Sequence, residues 1–267
     1  MMPGGDRMRQ KAFQINAFSS ELFSGNPSLV VPLGQWFDDS LMQKIATESG
    51  LTCAFFVGAN GDYRIRWFTP RAEIEGICGH GTLAAGYVIL DELRDTSDEV
   101  VFHVPAGDLR VRRMDGHYVL DLPALNPTPR PRPKNLKLAL GQEPEAVFGA
   151  LDFIAVFSAE QDVIGFEPNL SAMADLPLRA VIITASGRDV DFVSRWFMPK
   201  NGGGEDTGIT GSGHCSLVPY WADRLRKTTL TARQLSPRGG RIDCKLNGNR
   251  VYLSCMAVKY MEGILYL

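Results

Sequence analysis

The chain has 267 residues, of which 45% are hydrophobic and 22% are charged, and its formal net charge is −2. These values are ordinary for a soluble protein with a sizeable apolar core. The length allows one large domain or two of about 130 residues each. The net charge gives no electrostatic case for nucleic-acid binding. No run of about 18 apolar residues predicts a membrane span. We therefore expect neither nucleic acid nor a membrane as a partner.

The start of the chain and its cysteines bear on location. Residues 1–11 are polar and basic without an apolar segment, which predicts a disordered leader rather than a signal peptide. The five cysteines are odd in number and lack CxxC spacing. This usage suits a reducing cytoplasm better than a disulfide or zinc framework. We expect a cytoplasmic protein without a metal site.

The first half of the chain predicts strands mixed with two helices. Period-two alternation and short apolar runs place strands at 13–18, 53–57, 63–68, 100–104, 108–113 and 118–122. A helix is expected to begin at Asp38 or Asp39 and to end near Gly50. Residues 82–90 are apolar on every side, which predicts a buried central helix. Asp115-Gly116 predicts a hairpin turn.

A proline-rich segment at 126–134 predicts the domain boundary. Four prolines alternate there with arginine and lysine, a composition that favours an extended linker and disfavours helices and central strands. The predicted domains are therefore 12–125 and 135–267, with the alternative left open that the last strand joins the first domain.

The second half repeats the pattern of the first. Strands are expected at 153–157, 180–185 and 192–197, helices at 170–175 and 215–221, and a hairpin turn at Asn247-Gly248. Strands surrounding one apolar helix, present twice, predict an α+β fold in duplicate.

Matching motifs support the duplication. Cys78-Gly79-His80-Gly81 and Thr210-Gly211-Ser212-Gly213 stand 132 residues apart, whereas Trp67-Phe68 and Trp196-Phe197 stand 129 apart. The two copies therefore differ by a short insertion just before the second glycine motif.

The glycine motifs predict a site for an anion. Each opens an apolar helix, and helix N-termini bind anions through free N–H groups and the helix dipole. If the two halves pack face to face, a substrate carboxylate would lie between the motifs. The predicted substrate-binding residues are Gly79, Gly81, Gly211, Ser212 and Gly213. The alternative is that the glycines merely allow close helix approach or cap turns.

Three side chains next to these glycines could move protons. Histidine titrates near neutral pH, so His80 suits proton transfer, with a structural hydrogen bond as the alternative. Cys78 is either a thiol base or a packing residue. Asp206 precedes Thr210 by four residues and is either a site carboxylate or a solvated turn residue.

At these residues the chain resembles the phenazine-biosynthesis PhzF family, which has the diaminopimelate epimerase-like fold. The resemblance covers nearly the whole chain, and the segments that carry it are Phe23-Ser24-Gly25-Asn26-Pro27, Arg66-Trp67-Phe68-Thr69-Pro70, Cys78-Gly79-His80-Gly81-Thr82, Phe197-Met198-Pro199, Glu205-Asp206, Thr210-Gly211-Ser212-Gly213 and Pro219-Tyr220-Trp221. It implies two pseudo-symmetric domains, each a β-barrel around a central helix, with the active site in the cleft between them. It also implies cofactor-independent proton transfer on a small carboxylate-bearing substrate, and a homodimer. The family's histidine, aspartate and serine fall on His80, Asp206 and Ser212.

One departure from the family pattern concerns catalysis. Where the family has its general acid/base glutamate, residues 51–57 place Cys53. A carboxyl group with a near-neutral pKa is what such an isomerisation needs, and a packing cysteine does not supply it. Cys53 joins Cys78, His80, Asp206 and Thr210 as a candidate catalytic residue, with its ability to replace the glutamate left open.

Two alternative functions follow from the departures. The spacing from Asp206 to Thr210 and the segment 78–82 are similar to proline racemase relatives, and the pair Cys78 and Thr210 resembles the hydroxyproline dehydratase branch. A Cys/Thr epimerase or dehydratase is therefore one alternative. A catalytically inert binding protein that has lost the glutamate is the other.

Overall fold

A computed structural model describes residues 8–177, 179–200, 204–206 and 208–267. Residues 1–7 of the predicted leader lie outside this part of the chain. The first strand already begins at Arg9, so the prediction of a leader that extends to residue 11 is wrong from that residue onward.

The described residues form sixteen strands and six α-helices. The strands are β1 (Arg9–Ala17), β2 (Asn26–Pro32), β3 (Thr52–Ala59), β4 (Asp62–Phe68), β5 (Glu99–His103), β6 (Leu109–Met114), β7 (His117–Pro123), β8 (Thr128–Pro129), β9 (Ala146–Gly149), β10 (Phe153–Val156), β11 (Val181–Ser186), β12 (Phe192–Phe197), β13 (Thr229–Gln234), β14 (Gly240–Asn247), β15 (Arg250–Cys255) and β16 (Ala257–Tyr266). The helices are α1 (Asp39–Ser49), α2 (Gly79–Tyr87), α3 (Leu136–Leu140), α4 (Glu160–Ile164), α5 (Leu170–Ala174) and α6 (Gly211–Leu225). Within the described residues, no helix is long and apolar enough to span a membrane.

The chain divides into two compact units. Unit 1 comprises Met1–Leu120 and Cys255–Leu267, and unit 2 comprises Asp121–Ser254. The last strand, β16, pairs with β1 of unit 1, which is the arrangement that the sequence left open. The boundary falls just before the proline-rich segment at 126–134.

The two units share one strand order and one pattern of strand directions. Neighbouring strands of unit 1 run β16-β1-β2-β3-β4-β5-β6-β7, and those of unit 2 run β8-β9-β10-β11-β12-β13-β14-β15. In unit 1, β2 is parallel to β3 and β4 is parallel to β5. In unit 2, the equivalent pairs β10/β11 and β12/β13 are parallel. A parallel pair needs a crossover connection, and α2 and α6 provide the equivalent second crossover in each unit. The predicted duplicated α+β fold is confirmed at this level.

Each glycine motif opens a buried helix. All but the second and the last residue of α2 are buried, and α2 packs against β1, β2, β3 and β6. Its next residues, Val88–Glu92, form a π-helical turn that the sequence did not predict. In α6, every residue from Gly211 to Pro219 is buried. The predicted central helices are confirmed, although both begin earlier than their apolar runs.

The proline-rich segment is tied to unit 2 at two places. Thr128 and Pro129 form the edge strand β8 beside β9, in agreement with the expectation that prolines stay out of central strands. Leu125 donates its N–H to the carbonyl of Cys215 at 2.8 Å. That carbonyl is available because Pro219, four residues further along α6, has no N–H to donate to it.

Candidate functional site

The first glycine motif brings a thiol and an imidazole together at the start of α2. Cys78 is the N-cap residue, in an extended conformation, and its carbonyl accepts hydrogen bonds from the N–H and the hydroxyl of Thr82 at 3.0 and 2.7 Å. Cys78 Sγ lies 3.8 Å from Nδ1 of His80 and 4.0 Å from Nε2. Cys78 is 4% exposed, and His80 is partly exposed. An imidazole this close can exchange a proton with the thiol.

The second glycine motif places a hydroxyl and a carboxylate at the start of α6. Thr210 is the N-cap residue, again extended, and its carbonyl accepts from Gly213 N–H at 3.1 Å and from His214 Nδ1 at 2.9 Å. The Thr210 hydroxyl donates to Asp206 Oδ2 at 2.5 Å. Thr210 is 6% exposed. The structure therefore brings together two predicted site residues, Asp206 and Thr210.

The two helix starts have the same architecture. In both, an extended N-cap residue presents its carbonyl to the side chain four residues later, Thr82 in α2 and His214 in α6. Neither first turn contains an acidic residue. The first N–H groups of an α-helix have no intrahelical acceptor, and the dipole makes this end positive. Each start is thus suited to an anionic oxygen, with Gly79 or Gly211 as its first helical residue.

The third residue of each motif helix is a glycine that faces a tryptophan. A Cβ on Gly81 would lie 2.6 Å from Trp67 Cδ1 and 3.1 Å from Cys78 Sγ, which no side chain tolerates. A Cβ on Gly213 would meet Trp196 Cδ1 at 3.6 Å, an ordinary contact. The requirement for glycine is therefore strict in unit 1 and relaxed in unit 2. Gly81 therefore allows the start of α2 to lie close to Trp67, which is the alternative role predicted for these glycines.

An arginine–glutamate pair supports the loop before each motif, a feature that the sequence did not predict. Arg66 bonds both carboxylate oxygens of Glu73 at 2.7 Å, and Arg195 bonds both oxygens of Glu205 at 2.7 and 2.8 Å. Each glutamate also forms a β-bridge to the phenylalanine of the Trp-Phe motif. Glu73 and Glu205 stand 132 residues apart, as the glycine motifs do. The insertion therefore lies between the phenylalanine and the glutamate of unit 2.

Cys53 lies in the apolar core of unit 1. It is 0% exposed and packs in a cluster with Met42, Ile45 and Phe55. Burial raises the pKa of its thiol to about 11, partly offset by the hydroxyl of Ser49 at 3.4 Å. At neutral pH the thiol is therefore protonated. These surroundings favour a packing role and offer no carboxyl-like acid or base.

Other buried titratable groups keep their neutral forms. Burial lowers the pKa of His214, which is wholly enclosed and donates through Nδ1. Burial also raises the pKa of the Cys215 thiol to about 12, and Cys244 and Cys255 are buried as well. Among the described residues, no group of three or more His, Cys, Asp or Glu side chains is arranged to hold a metal ion.

Comparison with known proteins gives consistent matches over nearly the whole chain. The family model described as phenazine biosynthesis-like protein, PhzC-PhzF, matches residues 15–263. Two uncharacterized isomerases of Pseudomonas aeruginosa are 43% and 45% identical to the chain, over 97% and 96% of its length and 100% and 98% of theirs. A crystal structure of a PhzF-family phenazine biosynthesis protein from Enterococcus faecalis matches with a TM-score of 0.89 at 38% identity, covering 97% of this chain and 100% of that one.

Proposed function

Because the chain belongs to the phenazine biosynthesis-like (PhzC-PhzF) family, we propose that it is an isomerase. It moves a proton within a small carboxylate-bearing metabolite without a cofactor. The observation that carries the proposal is the pair of proton-transfer groups at equivalent N-cap positions: Cys78 with His80, and Thr210 with Asp206. Relatives named as isomerases support the reaction class.

The glycine motifs supply the binding half of the proposal. The first turns of α2 and α6 contain the backbone N–H groups of the predicted substrate-binding residues, Gly79, Gly81, Gly211, Ser212 and Gly213. Of these, the N–H of Gly213 already donates to the carbonyl of Thr210. In unit 2 the N–H groups of Gly211 and Ser212 are therefore the proposed donors to the substrate. Such donors hold a carboxylate and stabilise the negative charge that develops when a neighbouring carbon loses its proton.

The Thr210–Asp206 pair supplies a proton relay. When the carbon–hydrogen bond breaks, the electron pair stays on the substrate and the proton passes to Thr210 Oγ, while the hydroxyl proton of Thr210 passes to Asp206 Oδ2. The 2.5 Å hydrogen bond is the path for the second transfer. Return of the proton to a different carbon completes the isomerisation. The contact between Cys78 and His80 forms a second relay of the same kind.

Cys53 stands at the sequence position of the family glutamate, but we assign it no proton-transfer step. Its thiol is buried among apolar side chains, with a pKa near 11, and is therefore a poor acid or base at neutral pH. In this mechanism Asp206 and His80 therefore take the general acid/base role that the glutamate has in the family.

Solvent deuterium incorporation tests the proposal. Small amino- and hydroxy-carboxylates are incubated with the protein in D₂O and analysed by mass spectrometry and NMR. We expect Asp206→Asn and His80→Gln to lower exchange by about 100-fold or more, and Cys53→Ala, the matched control, to retain it. Loss with Cys53→Ala but not with Asp206→Asn would refute the assignment. No exchange of any compound would favour the inert binding protein.

A second function is favoured by the Thr210–Asp206 bond. Run in reverse, the relay passes a proton from a protonated Asp206 to Thr210 Oγ while the hydroxyl proton of Thr210 goes to a departing hydroxyl group, which leaves as water. A Cys78/Thr210 dehydratase or epimerase is therefore the alternative. In that case Cys78→Ala alone abolishes exchange, and a dehydratase product is lighter than its substrate by one water.

The remaining features that the resemblance implies are part of the same proposal. They are the closed barrel in each unit, the homodimer and the cytoplasmic location. Size-exclusion chromatography with light scattering tests the homodimer: a mass of one chain would contradict it.

A further inference from the structure

Gln234, the last residue of β13, is a buried side chain that joins the loop before α6 at three points. It is 2% exposed. Its Oε1 accepts the N–H of Thr210 at 2.8 Å, and its Nε2 donates to the carbonyl of Gly208 at 2.5 Å. Nε2 also lies 3.2 Å from Thr210 Oγ1 and 3.0 Å from Ser236 Oγ. Buried backbone groups in irregular loops need such partners, and one carboxamide supplies several of them.

These contacts fix the direction of the Thr210 hydroxyl. The backbone N–H of Thr210 requires an oxygen opposite it, and the carbonyl of Gly208 requires a donor, so the amide of Gln234 fits in one orientation. Its NH₂ group has two protons for three oxygens, those of Gly208 O at 2.5 Å, Ser236 Oγ at 3.0 Å and Thr210 Oγ1 at 3.2 Å, so the atom that faces the Thr210 hydroxyl is a donor and cannot accept its proton. A hydroxyl has a single proton, and that proton is directed at Asp206.

Comparison of the two units shows that the fold does not require this arrangement. The N–H groups of Ile74 and Asp206 each donate to the carbonyl of the motif tryptophan, at 2.8 and 3.0 Å, so Ile74 is the unit 1 counterpart of Asp206. Gln234 is paired in the register of the parallel strands β12/β13, and continuing the matching β4/β5 register by one residue beyond His103 places Val104 at the equivalent position. Unit 1 thus builds the equivalent helix start with apolar residues at both positions.

We propose that Gln234 is a positioning residue of unit 2, which holds the Thr210 hydroxyl as a donor to Asp206. This inference rests on the proposed proton relay through that pair. Among the described residues of this loop and of β12, Glu205 and Arg195 are paired with each other and do not compete for the hydroxyl.

The substitution Gln234→Glu separates support of the loop from orientation of the hydroxyl. It keeps an oxygen for the N–H of Thr210 and replaces the NH₂ donor by a second oxygen. Three-bond NMR couplings from the Thr210 methyl carbon to the backbone nitrogen and carbonyl carbon report the χ1 rotamer without any substrate. At pH 7 we expect wild-type protection of the Thr210 amide from hydrogen exchange, but rotamer-averaged couplings. Lowering the pH until the new carboxyl is protonated restores a donor and hence the wild-type couplings.

Controls make the result decisive. Ser236→Ala removes a contact of Gln234 that does not reach the loop, and its Thr210 couplings should equal those of the wild type. Gln234→Met, of similar shape and without hydrogen bonds, serves if Gln234→Glu does not fold, and should lose both amide protection and the single rotamer. Wild-type Thr210 couplings in Gln234→Glu or in Gln234→Met would overturn the inference.

The deuterium-exchange assay then connects position with activity. We expect Gln234→Glu to lower kcat by about tenfold or more with KM unchanged, and to recover as the pH falls, which the wild type does not do. If Asp206→Asn retains full exchange, the proposed relay fails, whereas the Thr210 couplings still decide the role of Gln234.

Discussion

The two motif glycines, Gly81 and Gly213, give the most direct test of the repeated architecture, because one substitution has opposite consequences in the two units. Alanine at Gly81 places a methyl group 2.6 Å from Cδ1 and 3.1 Å from Nε1 of Trp67, and 3.1 Å from Sγ of Cys78. Alanine at Gly213 meets its nearest neighbour, Ile182, at 3.5 Å.

The magnitudes follow from packing and helix propensity. Overpacking a filled core costs about 1–3 kcal/mol. The upper end applies to Gly81, because Trp67 is 2% exposed and a buried indole cannot swing away as the end of a flexible chain can. Alanine gains about 1 kcal/mol over glycine inside a helix. We therefore expect Gly81→Ala to destabilise the protein by about 2 kcal/mol, and Gly213→Ala to be neutral or to stabilise it by up to about 1 kcal/mol.

Thermal and urea unfolding measure both variants. For a chain of this size, about 2 kcal/mol corresponds to a Tm about 4–8 °C lower, and the urea midpoint should move with little change in slope. Equal stability of Gly81→Ala and the wild type, or equal damage by the two substitutions, would refute the reasoning. Either result would mean that Trp67 is free to move or that the two helix starts do not differ in packing.

Three further predictions follow from the environments of single side chains. Cys53 should react with iodoacetamide at pH 8 no faster than the protein opens, because its buried thiol has a pKa near 11; rapid labelling of the native protein, mapped by mass spectrometry, would contradict its packing role. Arg195→Met should lower the free energy of unfolding by about 2 kcal/mol, because it leaves the partly buried Glu205 unpaired, whereas Arg66→Met, in a more exposed pair, should cost about 1 kcal/mol; equal losses in urea melts would refute this. His103 is hydrogen-bonded to Asp108 and lies beside Asp62, which raises its pKa, so its contribution to stability is full below pH 6.5 and is lost as the pH rises through the raised pKa. His103→Gln should therefore destabilise the protein at pH 5.5 and have little effect at pH 9, and a loss independent of pH would count against the ion pairs.

Much of the fold was predictable because the same pattern of strands, turns and helices occurs twice in the chain. The buried helices follow from apolar runs, the hairpins from Asp115-Gly116 and Asn247-Gly248, and the repeat from motif spacing. The missed elements are short or depend on tertiary pairing. Helices of five residues, such as α3 and α4, give no periodicity to detect. The pairing of β16 with β1 joins opposite ends of the chain, and local sequence does not encode it.

The candidate site was predictable where it lies within a motif and not where it depends on contacts across the fold. The glycine spacing identified His80 and Asp206, and the hydrogen bond from Thr210 to Asp206 follows their separation of four residues. Gln234 stands 24 residues from Thr210, at the end of an ordinary strand, and no local pattern marks it. For Cys53, the sequence position suggested a catalytic role, whereas its side chain packs in an apolar core cluster together with residues of α1.

The differences between the two copies of the repeat indicate which positions carry function and which carry the fold. In unit 2, Asp152 accepts a hydrogen bond from Trp196 Nε1 at 2.9 Å and pairs with Arg179. The strand registers place Ser28 at the position of Asp152, and among the described residues Ser28 Oγ and Trp67 Nε1 are buried without a hydrogen-bond partner. A hydrogen bond to the tryptophan that is present in one copy and absent from the described part of the other is not a requirement of the fold. The same reasoning applies to Asp206 and Gln234, whose unit 1 counterparts are apolar. Two copies that keep the glycine, tryptophan and arginine–glutamate framework, yet differ at the groups that hold or move protons, are what divergence toward separate chemical tasks would produce.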